Sequence, residues 1–304
     1  MSTFQSRSGP EWAEFARALE ARGFGALLLP DHLVDMPSPF TALGHAAAAT
    51  TQLHVGTLVL NNDFRHPVIA AREAATLAVL SGGRFELGLG AGHSADEYRE
   101  AGISFDPARV RAARLAESVE VIHALRTGQS VRFGGEYYTI EGHALHPRLD
   151  GVSMPLLVGG NGQRVLESAG RFADIVSFTG FGPTSDGRGV HLTHFTREGL
   201  ADRIAIVRAA AGERFEHIEL NALLQGITIT DDSPRSVAEE YLERMPGLTV
   251  DDVLESPFLL IGTIDQMAAK LQRLRDEFGI TYFVAFEGAL ESLTPVIERI
   301  RATP

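Results

Sequence analysis

The feature that most constrains this chain is an alternation of short apolar runs with amphipathic segments, repeated almost from end to end. PEWAEFARALEARGF sets Trp12, Phe15, Ala16 and Leu19 at helical spacing, with Pro10 near its start and Gly23 closing it. ALLLPDH follows as a short buried strand ending in polar residues. A helix (FTALGHAAAAT), a strand (LHVGTLVLN), a helix (HPVIAAREAATLAVLSGG), a strand (RFELGLG) and a helix over Ala108 to Arg126 come next. VRFGGEYYTI reads as a hairpin-like excursion. PLLVGG, the helix QRVLESAGRF and the strand ADIVSFTG resume the pattern, and the segment 181–196 reads as a loop insertion. A helix from Thr196 to Ala211, a strand (ELNALLQGITIT), helical turns, a helix (DQMAAKLQRLRDEFG) and a last strand (ITYFVAFEG) complete it.

Buried strands alternating with amphipathic helices mean parallel βαβ units. Seven strands are clear. An eighth would close a (β/α)8 barrel, and its one candidate is the weak TFQS before the first helix. No linker or composition break divides the 304 residues, so the expectation is an α/β fold, one TIM-barrel domain over 1–304 with a shortened or missing first strand.

Composition narrows the chemistry. The chain has no cysteine, which excludes disulfides, thiolate metal sites and cysteine nucleophiles. A net charge of -12 argues against nucleic acid as a partner. The N-terminus lacks the apolar run of a signal peptide and no segment has about 18 continuous apolar residues, so a cytoplasmic protein without a membrane partner is expected. The charged, alanine-rich stretch from Arg109 to Arg126 reads as a solvated helix without functional weight.

The stretch GGRFELGLGAGHS, residues 82–94, tests two folds against each other. A dinucleotide fingerprint needs Gly-x-Gly-x-x-Gly and an acidic residue about 20 positions on, at the end of the next strand. Here Gly88, Gly90 and Gly92 are spaced GxGxG, His93 stands in the third glycine's place, and a charged helix follows. The fingerprint fails. In a barrel, function gathers at the carboxyl ends of the strands. Those ends read PDH (Pro30, Asp31, His32), VLNNDFRHP, GAGH (Gly90 to His93), GGNG (Gly159 to Gly162) and SFTG. Glycines there let a flat ring approach the backbone, and GGNGQ offers N–H groups to an anion at a helix N-terminus.

With PDH, GTLVLNNDFRHP, ATLAVLSGGRFELGLGAGHSADEY, PLLVGGNGQRVLESAGRFADIV and LIGTIDQMAAKLQRLRDEFGITYFV in this order, the chain resembles the bacterial-luciferase-like superfamily, and within it the actinobacterial coenzyme F420-dependent oxidoreductases. The resemblance implies a TIM barrel binding F420, or alternatively FMN, at its mouth. It implies that Asp31 lies near the ring and His32 by the hydride-transfer site. Leu58 and Val59 match a non-prolyl cis peptide behind the ring. Gly90, Gly92 and Asp96 are expected beside the cofactor, and Gly159, Gly160, Asn161, Gly162 and Gln163 match its phosphate loop. His93 is either the acid/base itself, with His32 orienting it, or a loop histidine. Arg65 is expected to lock a loop through a salt bridge, and His191 and His194, spaced HxxH without a third ligand, are not expected to hold a metal.

The implied activity is transfer of hydride from reduced F420 to an activated C=C, C=N or C=O of a small or peptide-borne metabolite. The alternatives are an FMN-dependent monooxygenase and a non-catalytic partner subunit. Homodimerisation is implied by the same analogy.

Overall fold

The structure, a computed structural model, describes residues 1–231 and 233–302. Seven strands lie side by side in the order Ala26–Leu29, His54–Thr57, Phe85–Gly90, Leu156–Gly159, Ile175–Phe178, Glu219–Leu224 and Ile280–Ala285, with Leu60–Asn61 added against Phe85–Gly90. Every pairing in this sheet is parallel. The seam between the first and last of these strands is filled by residues 1–3: Ser2 bridges both Leu28 and Phe286 in parallel. Ser2 N donates to Ala285 O at 2.7 Å, and Leu28 N donates to Met1 O at 2.8 Å. The barrel therefore closes through an eighth segment of minimal length. Of the candidate TFQS only Thr3 takes part, and Phe4 leaves the sheet with 42% of its surface exposed.

Side chains alternate between the two faces of each strand. Leu27 and Leu29 pack outward into the main core beneath the helices, whereas Ala26, Leu28 and Val284 form a separate cluster with Leu58, Leu223 and Tyr282 partly buried against it. Outside, the helix Gly9–Ala21 is tied to Pro39–Ala49 by Trp12, whose indole N–H donates to Ala42 O at 2.7 Å. A buried indole is stable only with such a partner.

Four expectations need correction. ELNALLQGITIT is not one barrel strand: it divides at Gln225, whose N–H donates to Phe258 O at 2.7 Å, and Gly226–Ile229 leaves the barrel to pair with Leu259–Gly262. That second strand lies where only helical turns were expected, because a four-residue apolar run has no readable period. The segment 181–196 is not merely a loop, since Phe181–Pro183 and Val190–Leu192 form an antiparallel hairpin. Nor is the helix Ala108–Arg126 a solvated one. It buries Leu115, Val119, Val121, Ile122 and Leu125, and Arg111 is 4% exposed; alanines and long arginine stems cover apolar surface that a count of charges misses. The helix Leu290–Arg301 follows the last strand without having been anticipated. Among the described residues, no helix is long and apolar enough to cross a membrane.

Candidate active site at the barrel mouth

Three side chains meet where Ala26–Leu29 and Phe85–Gly90 end. His32 follows the first of these strands, and Glu97 stands on the short helix Ala95–Glu100 after the second. Glu97 Oε1 lies 2.8 Å from His32 Nδ1, and Glu97 Oε2 accepts the Leu33 N–H at 2.7 Å. Burial pushes the Glu97 carboxyl up, but bonds from Leu33, His32 and Ser94 together hold it below the ordinary glutamate range. It is thus a carboxylate at neutral pH. A carboxylate on Nδ1 fixes the imidazole tautomer and leaves the other ring nitrogen for proton transfer.

The His93 ring stands edge-on to His32, 5.2 Å between centroids. It reaches solvent, and desolvation by the surrounding chain, seconded by the neighbouring His32, lowers its pKa. His93 is therefore neutral at pH 7, suited to accept a proton rather than to hold one. Phe4 lies 5.9 Å from His32 and 5.9 Å from Phe286, adding an aromatic wall.

Asp31 has a different neighbourhood. It is 6% exposed, accepts the Asn61 N–H at 3.2 Å, and pairs with Arg65. Arg65 does lock a loop, and its target is Asp31. The Leu58–Val59 peptide is cis. Val59 sits over two of the strand-end glycines: a Cβ on Gly159 would lie 3.1 Å from Val59 Cγ1, and one on Gly90 would collide with Val59 Cγ2. Gly90 and Gly159 thus make the seat on which Val59 rests.

Gly92 takes φ +74, and a Cβ there would meet Asn61. Its carbonyl accepts from Arg111 Nε at 3.4 Å. Beneath it the buried Tyr98 hydroxyl reaches Asn61 Oδ1 at 2.8 Å and Asp63 Oδ2 at 3.0 Å, and Arg114 lies 2.9 Å from Asp63. This network fixes the helix that carries Glu97. Asp96 is turned elsewhere, 3.1 Å from Arg99 on its own helix and 4.0 Å from Arg188.

Beside it, at the end of the next strand of the sheet, Gly159 to Gln163 turn from the strand Leu156–Gly159 into the helix Gln163–Phe172, which no side chain caps. Asn161 Nδ2 donates to Phe181 O at 2.9 Å. A Cβ on Gly160 would lie 2.9 Å from Val165, so the chain itself demands that glycine; Gly162 has an ordinary φ of -76 and a Cβ there would meet nothing within 4 Å. The hairpin spans from this loop to the one that carries His93. At its tip Gly187 is buried, its carbonyl accepts the Ala95 N–H at 3.0 Å, and a Cβ on it would stand 2.8 Å from His93 O.

The structure thus brings His32, His93, Gly90, Gly92, Val59 and the GGNGQ loop to one end of the barrel. Sequence reasoning missed Glu97, Tyr98, Arg111 and Arg203. The available signal for Glu97 was its place in the first turn after Ser94, four residues from His93.

A model of the luciferase-like monooxygenase family matches residues 5–282. The chain is similar to an F420-dependent glucose-6-phosphate dehydrogenase of Nakamurella multipartita, 32% identical over 281 residues, which is 90% of this chain and 77% of that one. A second enzyme of that name, from Beutenbergia cavernae, is 35% identical over 163 residues, 51% of this chain and about half (48%) of the relative. Among solved structures, the fold is shared with the coenzyme F420-dependent tetrahydromethanopterin reductase of Methanopyrus kandleri (TM-score 0.74, 20% identity, 99% of this chain and 98% of that one). It is shared equally with an F420-dependent secondary alcohol dehydrogenase holding an F420–acetone adduct (TM-score 0.74, 20% identity, 99% of each chain).

Proposed function

The chain belongs to the luciferase-like monooxygenase family, and from that premise we propose that it is an enzyme, an oxidoreductase dependent on coenzyme F420. The observation that carries the reading is the His32–Glu97 pair at the mouth, 2.8 Å apart, at the same end of the barrel as an uncapped helix N-terminus behind Gly162. The chain's residues fit a flat, phosphorylated cofactor. Val59 on its glycine seat offers an apolar surface for a ring. The free N–H groups at the start of Gln163–Phe172 suit a phosphate. Gly162, which the fold does not itself require, leaves room for close approach.

When bound, reduced F420 supplies two electrons as a hydride from its ring. The proton that must accompany them to a C=O, C=N or activated C=C is assigned to His32. Glu97 holds its Nδ1 and stabilises positive charge on the ring, so His32 gives the proton from its other nitrogen. His93, neutral and edge-on to His32, is placed to accept a proton from the substrate side. The hairpin 181–196 bounds the space in which a small or peptide-borne metabolite would lie.

The test is a fluorescence titration of the purified chain with F420 and FMN, oxidised and reduced. F420 is expected to bind with clear preference. A preference for FMN would replace this reading with oxygen-activating monooxygenase chemistry, and binding of neither would favour a non-catalytic subunit.

A second expectation follows from Gly162. Gly162→Ala should weaken F420 binding about tenfold, equivalent to about 1.4 kcal/mol. Its melting temperature should hold or rise slightly, because alanine fits this φ and restricts the unfolded chain. A fall in melting temperature with unchanged affinity would place the glycine's role in folding instead.

A further inference from the structure

Behind the Gly159–Gln163 turn lies a buried guanidinium. Arg203, on the helix Arg197–Ala211, is 1% exposed. Its Nε donates to Gly199 O at 3.1 Å, and its two terminal nitrogens donate to Thr179 O and His194 O, each at 2.9 Å. It also donates to Asn161 Oδ1. The flanking groups are the rings of Phe178 and Phe258, 5.4 and 5.5 Å from the guanidinium. Among the described residues no carboxylate pairs with it, although buried arginines ordinarily have one. Burial alone brings its pKa down to about 10, so it stays charged at neutral pH.

The positions of its partners give this charge a direction. Thr179 and His194 flank the hairpin at its two ends, and Asn161 is the third residue of the GGNG loop. Asn161 in turn donates to Phe181 O, so one guanidinium joins the loop and both feet of the hairpin.

We propose that Arg203 is a positioning residue that both shapes the Gly160–Gln163 loop and supplies, from behind it, the fixed positive charge that makes the loop selective for a phosphate-bearing ligand. The inference rests on the loop being an anion site, as in the function proposed above. Carbonyls and an amide oxygen solvate the guanidinium without neutralising it, and two aromatic rings keep water and competing anions away. Its field is therefore screened only weakly. An anion on the far side of the loop completes the pair without entering the core. Arg203 touches neither ligand nor reacting atoms; it acts through Asn161 and through space.

The experiment measures the rise in melting temperature that inorganic phosphate gives the cofactor-free protein, against chloride at equal ionic strength. The variants are Arg203→Lys, which keeps the charge without the fork, and Arg203→Met, which loses both. The wild type should be stabilised by phosphate, Arg203→Lys should keep at least half of that increment, and Arg203→Met should bind phosphate about tenfold more weakly and lose nearly all of it. A merely structural arginine would lower the starting temperature of both variants and leave the phosphate increment unchanged, which would overturn the proposal. So would equal increments in the two variants. If Arg203→Met does not fold, Arg203→Gln, neutral but still able to donate to the carbonyls, takes its place with the same expectation. Titration with F420 separates the two levels. A wild type that binds F420 without responding to phosphate overturns the role of Arg203 alone, whereas one that responds to neither overturns the anion site and this inference together.

Discussion

Replacing His32 with alanine is expected to lower kcat with reduced F420 by between about 100-fold and 10,000-fold, the range for losing a positioned general acid or base. F420 affinity should stay near the wild-type value. Glu97 spends one oxygen on His32 Nδ1 and the other on the Leu33 N–H, so the ring is held at 2.8 Å in one tautomer. Glu97→Gln keeps the shape and removes the charge, and its loss should be smaller than that of His32→Ala but in the same parameter. The pH profile of kcat/KM checks the assignment. His93, with its lowered pKa, loses its proton below the usual histidine range; His93→Gln should remove a limb on the acid side and leave the neutral plateau standing. Added imidazole should restore part of the activity of His32→Ala. Unchanged kcat in His32→Ala, or a collapse of F420 affinity in its place, would sink the acid/base role and leave His32 as a packing residue.

What the sequence disclosed depended on how local the physical cause was. Runs such as ALLL and RFELGLG are buried on both faces, so their apolar character alone identifies parallel strands. The eighth strand was barely readable because a single bridging residue, Ser2, closes the seam, and no pattern exists in so short a segment. The division at Gln225 was hidden for another reason: its cause is the carbonyl of Phe258, over thirty residues away. The same contrast governs the site. Gly90 and Gly159 announce themselves as glycines at strand ends, although what they accommodate in the chain is Val59. Arg203 carries no local mark and Glu97 only its place in the turn after Ser94, since their meaning lies in Asn161 and in His32, which only the barrel brings near. The reading of Arg109 to Arg126 as solvated erred in the same way. Arg111 and Arg114 look like surface charge in a helix, yet one holds the Gly92 carbonyl and the other faces Asp63.

Asp31→Ala should lower stability by about 3 kcal/mol, the low end of the cost of removing one partner from a buried ion pair. The low end applies because Arg65 retains 21% side-chain exposure and Glu73, 3.6 Å away, as a second carboxylate. The loss should appear as a lower denaturant midpoint with unchanged slope. Most of it should come from the stranded guanidinium, so Asp31→Ala combined with Arg65→Met should be more stable than Asp31→Ala alone. That double variant also divides the two roles open to Asp31. The resemblance implies that it lies near the cofactor ring, whereas its contacts within the chain are Arg65 and the Asn61 N–H. If the carboxylate serves only to lock the loop after Leu60–Asn61, the double variant should recover F420 affinity along with stability. If it also meets the cofactor, stability should return while the affinity stays low. Equal stability of the single and double variants would mean that Glu73 and water suffice for Arg65, and that the pair contributes little to holding the mouth of the barrel in shape.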